Sequence, residues 1–107
     1  MPIEDMTPAS FDARRKKGER WQLLDVREAW EHELARVPDA THIPMAEVPA
    51  RHAELDPEQP TAVICHSGVR SARVATYLDQ IGFDTVVNVA GGIDAWSVEI
   101  DSSVPRY

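Results

Sequence analysis

The stretch Thr61-Ala-Val-Ile-Cys65-His-Ser-Gly-Val-Arg70-Ser71 joins an apolar run to a short polar loop. A short continuous apolar run that ends in turn residues is typical of a buried strand, so residues 61–65 predict one. The following segment, 71–81, has apolar side chains at helical spacing and predicts a helix that Gly82 ends. A strand, a tight loop and a helix in this order favour an α/β fold.

Cys65 is the only cysteine of the chain and lies where this strand ends. Open α/β sheets bind their ligands at that edge. Loop N–H groups and the dipole of the next helix favour a thiolate, so we expect the pKa of Cys65 to lie below its free value of about 8.5. Arg70 and His66 share the loop, and no acidic residue occurs from Gln59 to Leu78. The pattern predicts an anion-binding pocket around a nucleophile; the alternative is a buried, inert cysteine.

The remaining chain alternates helices and strands. Helices are expected from Thr7-Pro8 through Lys17, at 29–34 and 48–55, and a helical turn at 93–96. Strands are expected at 21–26, 41–43 and 85–89, and residues 97–107 are expected to form an extended tail. Strands that alternate with helices predict a mainly parallel central sheet with helices on both faces.

Composition limits the possible functions. A chain of 107 residues predicts a single domain, 1–107. One cysteine excludes an internal disulfide and, as a free thiol, favours a reducing cytoplasmic location. The formal net charge of −7 argues against nucleic acid as a partner. No apolar run is long enough for a membrane span, and the N-terminus does not resemble a signal peptide, so no membrane association is expected.

Several segments together resemble the rhodanese family of sulfurtransferases, in its small single-domain form. The segment Leu23-Leu-Asp-Val-Arg-Glu28 is similar to the family's Asp-x-Arg segment, and Cys65–Ser71 is similar to its Cys-x-x-Gly-x-Arg-Ser loop. The segment Gly91-Gly-Ile-Asp-Ala-Trp96 resembles its Gly-Gly-x-x-x-Trp ending. The family's Gly-His-Ile-Pro-Gly-Ala stretch reads Ala35-Arg-Val-Pro-Asp-Ala40 here, so its signature Gly and His are replaced by Ala35 and Arg36.

The resemblance implies a rhodanese-like fold and sulfur transfer. A donor such as thiosulfate would load sulfur onto Cys65 as a persulfide, and an acceptor such as cyanide, a thiol or a protein would remove it. This chemistry needs no cofactor. We expect no metal either, because among the four histidines only His66 neighbours the cysteine, and adjacent side chains of a strand point apart.

The substrate-binding residues expected from this resemblance form the loop after Cys65. They are His66, Ser67, Gly68, Val69, Arg70 and Ser71, whose backbone amides would hold the anion. Arg70 is expected to face the donor; the alternative is a salt bridge that stiffens the loop, with Asp25 as its partner. Asp25 and Arg27 are expected to support the site through ion pairs or hydrogen bonds, and Trp96 to pack in the core.

Two other functions fit parts of this pattern. A cysteine phosphatase or an arsenate reductase on the same fold would resemble this chain but have a Cys-x5-Arg loop. Here only four residues separate Cys65 from Arg70. The shorter loop favours a sulfur atom over a bound phosphate ester. A non-catalytic rhodanese-like interaction module commonly lacks the cysteine that this chain has.

Overall fold

The computed structural model describes residues 3–107, so Met1 and Pro2 of the expected domain lie outside it. The strands are β1 Glu4–Met6, β2 Gln22–Asp25, β3 Thr41–His42, β4 Thr61–Ile64 and β5 Val86–Val89. The α-helices are α1 Pro8–Lys16, α2 Ala29–Leu34, α3 Val48–Arg51, α4 Val69–Gln80 and α5 Gly92–Glu99. Short 3₁₀ turns, Met45–Glu47 and His52–Glu54, flank α3.

The five strands form one sheet in the order β1-β5-β4-β2-β3, and every pair of neighbours is parallel. The prediction of a mainly parallel sheet is therefore confirmed. The strand β4, which leads to Cys65, is central: Val63 lies opposite Leu24 of β2 and Asn88 of β5. All carboxyl ends of the strands consequently meet at one edge, and Cys65 lies in the middle of that edge.

Alternate residues of the strands enter two separate cores. Leu23 and Ile64 pack into one cluster, whereas Leu24 and Val63 pack into the other, as the two-residue period of a strand requires. The first cluster includes Phe11 of α1 and Trp96 of α5. The second includes Val48, Val74, Ala75 and Leu78 from α3 and α4. Helices thus cover both faces of the sheet, as expected, and Trp96 packs in the core.

The local chemistry of α1 explains its bounds. Thr7 Oγ1 accepts a hydrogen bond from Ser10 N at 3.1 Å, and Pro8 occupies the first turn, where a missing N–H costs nothing. The basic run Arg14–Lys16 lies in the last turn, where positive charge is favourable. None of the helices within residues 3–107 combines the length and apolar character needed to cross a membrane.

The structure corrects several expected boundaries. Helix α4 begins at Val69 rather than residue 71, and the expected helix 48–55 ends at Arg51 before a 3₁₀ turn. The extended tail predicted from residue 97 was wrong at its start, because α5 continues to Glu99. The strand β1 was not expected, since a three-residue edge strand with two charged, exposed side chains lacks the apolar signal of a strand.

Candidate active site

Cys65 follows directly after β4 and is 1% exposed. Its sulfur faces the start of α4: Gly68 N donates to Sγ at 3.1 Å, and Ser71 Oγ lies 3.3 Å from Sγ. Gly68 adopts the left-handed conformation, with φ of 105°, which turns the chain tightly enough for its amide to face the sulfur. The loop and the first turn of α4 therefore surround one sulfur atom with donors.

The donors outweigh the effect of burial on the thiol. Burial alone would raise the pKa of Cys65, but hydrogen bonds from the Ser71 side chain and from the amides of Ser71, Gly68 and Ser67 hold that pKa below its ordinary value. Three amides of the expected cradle therefore favour the charged form of this sulfur, and that of Gly68 donates to Sγ at 3.1 Å. A thiolate is the form of cysteine that attacks electrophiles, so this environment suits a nucleophile.

The start of α5 fixes the backbone on the other side of Cys65. Ile93 N donates to Cys65 O at 2.8 Å, and Asp94 N donates to His66 O at 3.2 Å. Gly92, with φ of 60°, lies so close that a Cβ there would overlap the carbonyl groups of Cys65 and His66. Gly92 belongs to the Gly-Gly pair that opens the family-like segment 91–96. The absence of a side chain there allows the start of α5 to contact the backbone of Cys65.

Arg70 does not pair with Asp25. It forms a two-point ion pair with Glu31 of α2, with Nη1–Oε2 at 2.7 Å and Nη2–Oε1 at 2.8 Å, so the expected alternative partner was wrong. The Arg70 hydrogen bonds lower the pKa of Glu31 from its ordinary value of 4.5 to about 2, against the effect of burial. The Arg70 side chain is 30% exposed and that of Glu31 is 5% exposed. The Arg70 side chain therefore remains partly exposed beside an almost fully buried carboxylate.

Asp25 and Arg27 form a buried ion pair at the end of β2. Arg27 Nη2 lies 2.6 Å from Asp25 Oδ2, and the two side chains are 0% and 1% exposed. Arg27 Nε donates to Asp25 Oδ1 at 3.0 Å, and the other three guanidinium hydrogens bond to Ala35 O, to Glu31 O at 3.1 Å and to the Tyr107 hydroxyl at 2.9 Å. All five N–H groups are thus used, which a lysine could not reproduce. Asp25 and Arg27 thus form an ion pair with each other at the end of β2.

The replacement of the family's glycine by Ala35 fits this backbone. Ala35 has φ of −155° and ψ of 136°, an extended conformation open to any residue, and its carbonyl oxygen accepts from Arg27. Asp39 differs: it occupies the family's second glycine position with φ of 72°. Asp tolerates that left-handed conformation better than most side chains do. The backbone of the altered stretch is therefore compatible with the residues that replace the family's glycines.

Tyr107 is a residue of this site that the sequence did not indicate. Its ring stacks on His66, with centroids 4.3 Å apart, and its hydroxyl donates to Glu31 Oε1 at 2.9 Å while it accepts from Arg27. Burial raises the pKa of this phenol, which therefore stays protonated and able to donate. Trp30, which is 61% exposed, contacts the Tyr107 ring edge-on. The last residues thus return to the active-site edge instead of extending away from it.

These features define a class: a parallel α/β domain with a cysteine held among loop amides at the carboxyl edge of its sheet. The family model described as "Rhodanese-like domain" matches residues 7–99. The chain therefore belongs to the rhodanese-like family. Among residues 3–107, no group of three or more His, Cys, Asp or Glu side chains is arranged to hold a metal ion.

Individual relatives agree with this assignment. YtwF of Bacillus subtilis is 39% identical over 99 residues, which are 92% of this chain and 95% of that protein. A protein of Allochromatium vinosum named sulfurtransferase is 33% identical over 89% of each chain. The crystal structure of a rhodanese-like domain protein from Staphylococcus aureus is 31% identical, with a TM-score of 0.82 over 88% of this chain and 91% of that one.

Proposed function

We propose that this protein is a sulfurtransferase that carries sulfane sulfur on Cys65 as a persulfide. The observation that carries the proposal is the placement of Cys65 Sγ, which accepts from Gly68 N at 3.1 Å inside a loop that lowers the pKa of the thiol. Membership of the rhodanese-like family and the sulfurtransferase name of the Allochromatium relative support it.

The proposed reaction has two steps. In the first, the Cys65 thiolate attacks the outer sulfur of a donor such as thiosulfate; the S–S bond breaks, and sulfite leaves with its electron pair. In the second, an acceptor such as cyanide or a thiol attacks the outer sulfur of the persulfide and returns the electron pair to Sγ. No oxidant, metal or organic cofactor is required, because every bond that forms replaces one that breaks.

The loop supplies the electrostatic part of this mechanism. The persulfide's charge lies on its outer sulfur, which the amides between His66 and Ser71 would stabilise, as fixed donors do for a developing anion. Arg70, whose side chain is partly exposed, would face the sulfonate group of an anionic donor. Asp25 and Arg27 would act through the fold, since their ion pair is buried and holds β2 and α2 together.

The spacing within the loop weighs against the alternatives. Four residues between Cys65 and Arg70 leave a smaller ring of amides than the phosphatase or arsenate-reductase pattern. A non-catalytic module would not need the hydrogen bonds that lower the pKa of Cys65. We therefore place sulfur transfer first among the three.

The proposed partners are small donors and acceptors of sulfur, with a protein persulfide as a further candidate. A lone thiol that must stay reduced to react suits the cytoplasm, which we propose as the location. The net charge of −7 gives no basis for a nucleic-acid partner.

Mass spectrometry tests the proposal directly. After incubation with thiosulfate and removal of small molecules, we expect the peptide that contains Cys65 to gain the mass of one sulfur atom, and cyanide to remove it. Protein alkylated beforehand with iodoacetamide is the control and should gain nothing. An unmodified peptide, together with hydrolysis of a phosphate ester or reduction of arsenate, would favour the competing enzymes instead.

A further inference from the structure

The hydroxyl of Ser71 lies between two groups that can accept its proton. Cys65 Sγ is 3.3 Å from Ser71 Oγ on one side, and Asn88 Oδ1 of β5 makes a short hydrogen bond with Oγ on the other. Ser71 is fully buried and Asn88 is 4% exposed. A hydroxyl carries a single proton, so it can donate to only one of these two acceptors at a time.

The orientation of the Asn88 amide is fixed by its other contacts. Asn88 Nδ2 donates to Asp5 Oδ1 at 2.9 Å and to Gly68 O at 3.1 Å. A carboxylate and a carbonyl oxygen only accept, so the NH₂ group must face them and Oδ1 must face Ser71. Oδ1 is likewise only an acceptor, and Ser71 is therefore the donor in their hydrogen bond.

We propose that Asn88 is a positioning residue whose side-chain oxygen competes with the Cys65 sulfur for the proton of Ser71. Asp5 on β1 makes this competition possible, because it holds the amide with its oxygen toward Ser71. When Sγ is uncharged, as in the thiol, the proton lies toward Asn88. When Sγ is a thiolate, the proton turns to the sulfur, and the buried Asn88 oxygen loses its donor.

The competition has opposite effects on the two half-reactions, a consequence that rests on the proposed sulfur transfer. A thiolate that receives a weaker hydrogen bond is a stronger nucleophile toward the donor. When an acceptor attacks the outer sulfur of the persulfide, the S–S bond breaks and the electron pair moves to Sγ. The new thiolate is then stabilised by a hydrogen bond from Ser71. Asn88 thus favours loading of Cys65 and opposes its discharge.

Substitutions of Ser71 and Asn88 by uncharged residues leave every charged group around Cys65 unchanged. The ionisable groups of the loop and of the elements packed against it are His66, Arg70 with its partner Glu31, the Asp25–Arg27 pair with His32, Asp94 with Arg106, and Asp5. Because none of these is altered when Ser71 or Asn88 is replaced by an uncharged residue, a shift in the ionisation of Cys65 reports on the hydrogen bonds.

The test is the pH dependence of alkylation by iodoacetamide, which reports on Cys65 alone because the chain has no other cysteine. Ser71→Ala removes the donor and is expected to raise the midpoint by about one pH unit, a tenfold change in the ionisation constant. Asn88→Leu, close in shape but without an acceptor, is expected to lower the midpoint. In the double variant, the Asn88 substitution is expected to have no further effect.

A purely structural role for Asn88 predicts a different pattern. Its bond to Gly68 O holds the loop, and a displaced loop would shift the midpoint in the Ser71→Ala background as well. An equal shift in both backgrounds, or a midpoint that does not fall in Asn88→Leu, would overturn the proposal. Single-turnover loading and discharge give a second readout at a pH above the alkylation midpoints, where Cys65 is ionised in every variant: Asn88→Leu is expected to slow loading and speed discharge severalfold.

Asp5 offers a milder test, because its side chain is on the exposed edge strand and its substitution should leave the core intact. Asp5→Ala frees the Asn88 amide to turn and is expected to lower the midpoint. Asp5→Asn removes the same charge but retains the acceptor, so its midpoint should fall less than that of Asp5→Ala. Equal shifts in the two variants, or none in either, would overturn the role assigned to Asp5 and Asn88.

Alkylation does not require sulfur transfer, which separates the two proposals. If Cys65 never gains sulfur from a donor but the variants shift its alkylation midpoint as described, the proposed function fails while the competition for the Ser71 proton stands. If Cys65 gains sulfur in every variant and no midpoint shifts, the competition is overturned while sulfur transfer stands.

Discussion

Arg70 and Glu31 face each other through two parallel hydrogen bonds of 2.7 and 2.8 Å, across 39 residues of sequence. The pair fixes the guanidinium beside the cysteine loop, but it also neutralises much of its charge. Arg70 therefore forms a structural salt bridge while its side chain stays 30% exposed, and the proposed donor-facing role would use that exposed part.

We expect Glu31→Gln to strengthen the binding of an anionic donor. The amide keeps the shape of the side chain but removes its charge, so the apparent KM for thiosulfate should fall and its dependence on ionic strength should become steeper. Arg70→Ala should do the opposite, with a loss of about 1.5–3 kcal/mol, or roughly one to two decades of kcat/KM. Steady-state kinetics at several salt concentrations measure both effects.

An uncharged sulfur donor is the control for this pair. Arg70→Ala leaves the buried Glu31 carboxylate without its partner, so general damage to the loop must be separated from lost attraction. The double variant Arg70→Ala/Glu31→Gln removes both charges and avoids that damage. Equal losses for the anionic and the uncharged donor in the double variant would show that Arg70 is only a structural part of the loop.

The same ion pair predicts how stability depends on pH. The pKa of Glu31 falls from 4.5 to about 2 on folding, so the folded state favours the carboxylate. The stabilisation is complete above pH 4.5 and is lost as the pH falls toward 2, by roughly 3 kcal/mol. We expect the unfolding free energy of the wild type to converge on that of Glu31→Gln across this range in urea titrations. Parallel curves would contradict a lowered pKa of Glu31 in the folded state.

Cys65→Ser is expected to abolish thiosulfate-dependent formation of thiocyanate while the fold is kept. An alcohol is hardly ionised at neutral pH and cannot carry a transferable sulfur, yet the substitution is nearly isosteric. The loss of activity is measured by the thiocyanate assay, and circular dichroism with urea unfolding serves as the control for the fold. A folded serine variant that retains activity would exclude the persulfide mechanism.

Tyr107→Phe is expected to destabilise the protein by about 1–3 kcal/mol, because it leaves one N–H of the fully buried Arg27 without an acceptor. The ring and its stacking on His66 are retained, so the mobility of the loop should change little. Tyr107→Ala loses both contacts, and its unfolding midpoint should be lower still. If the two variants are equally stable, the ring contributes nothing beyond the hydroxyl.

How much of this site the sequence indicates depends on the distance between partners along the chain. The loop 65–71 and the lowered pKa of the Cys65 thiol follow from a local pattern of strand, turn and helix. Asp25 and Arg27 are only two residues apart, so their pairing is local as well. The partner of Arg70 is 39 residues away, and Tyr107 is 80 residues from Arg27. Only the packing of α2 and of the last residues brings those groups together, and no local pattern specifies that packing.

The unexpected contribution of β1 has the same origin. Asp5 and Asn88 are 83 residues apart and lie opposite each other only because β1 joins the edge of the sheet beside β5. A strand of three residues with two exposed acidic side chains has neither the alternation nor the apolar run that predicts a strand. The fold was predictable because β2, β4 and β5, each four residues long and largely buried, carry that signal.

The start of α5 lies against the backbone of Cys65 at Gly92. Gly92 and Gly82 both have positive φ, 60° and 103°, so alanine strains the backbone at either position. They differ in their surroundings: a Cβ on Gly82 meets nothing within 4 Å, whereas one on Gly92 overlaps the carbonyl groups of Cys65 and His66. Gly82→Ala is therefore the matched control for backbone strain.

We expect Gly82→Ala to cost about 1–2 kcal/mol of stability and to leave the reactivity of Cys65 unchanged. Gly92→Ala should cost more, because α5 must move away and the hydrogen bonds from Ile93 and Asp94 to the loop are lost. Its Cys65 should also alkylate more slowly near neutral pH, since the displaced loop holds the thiolate less well. Urea unfolding and the alkylation rate measure the two effects. If both variants alkylate at the wild-type rate, the start of α5 does not position the cysteine loop.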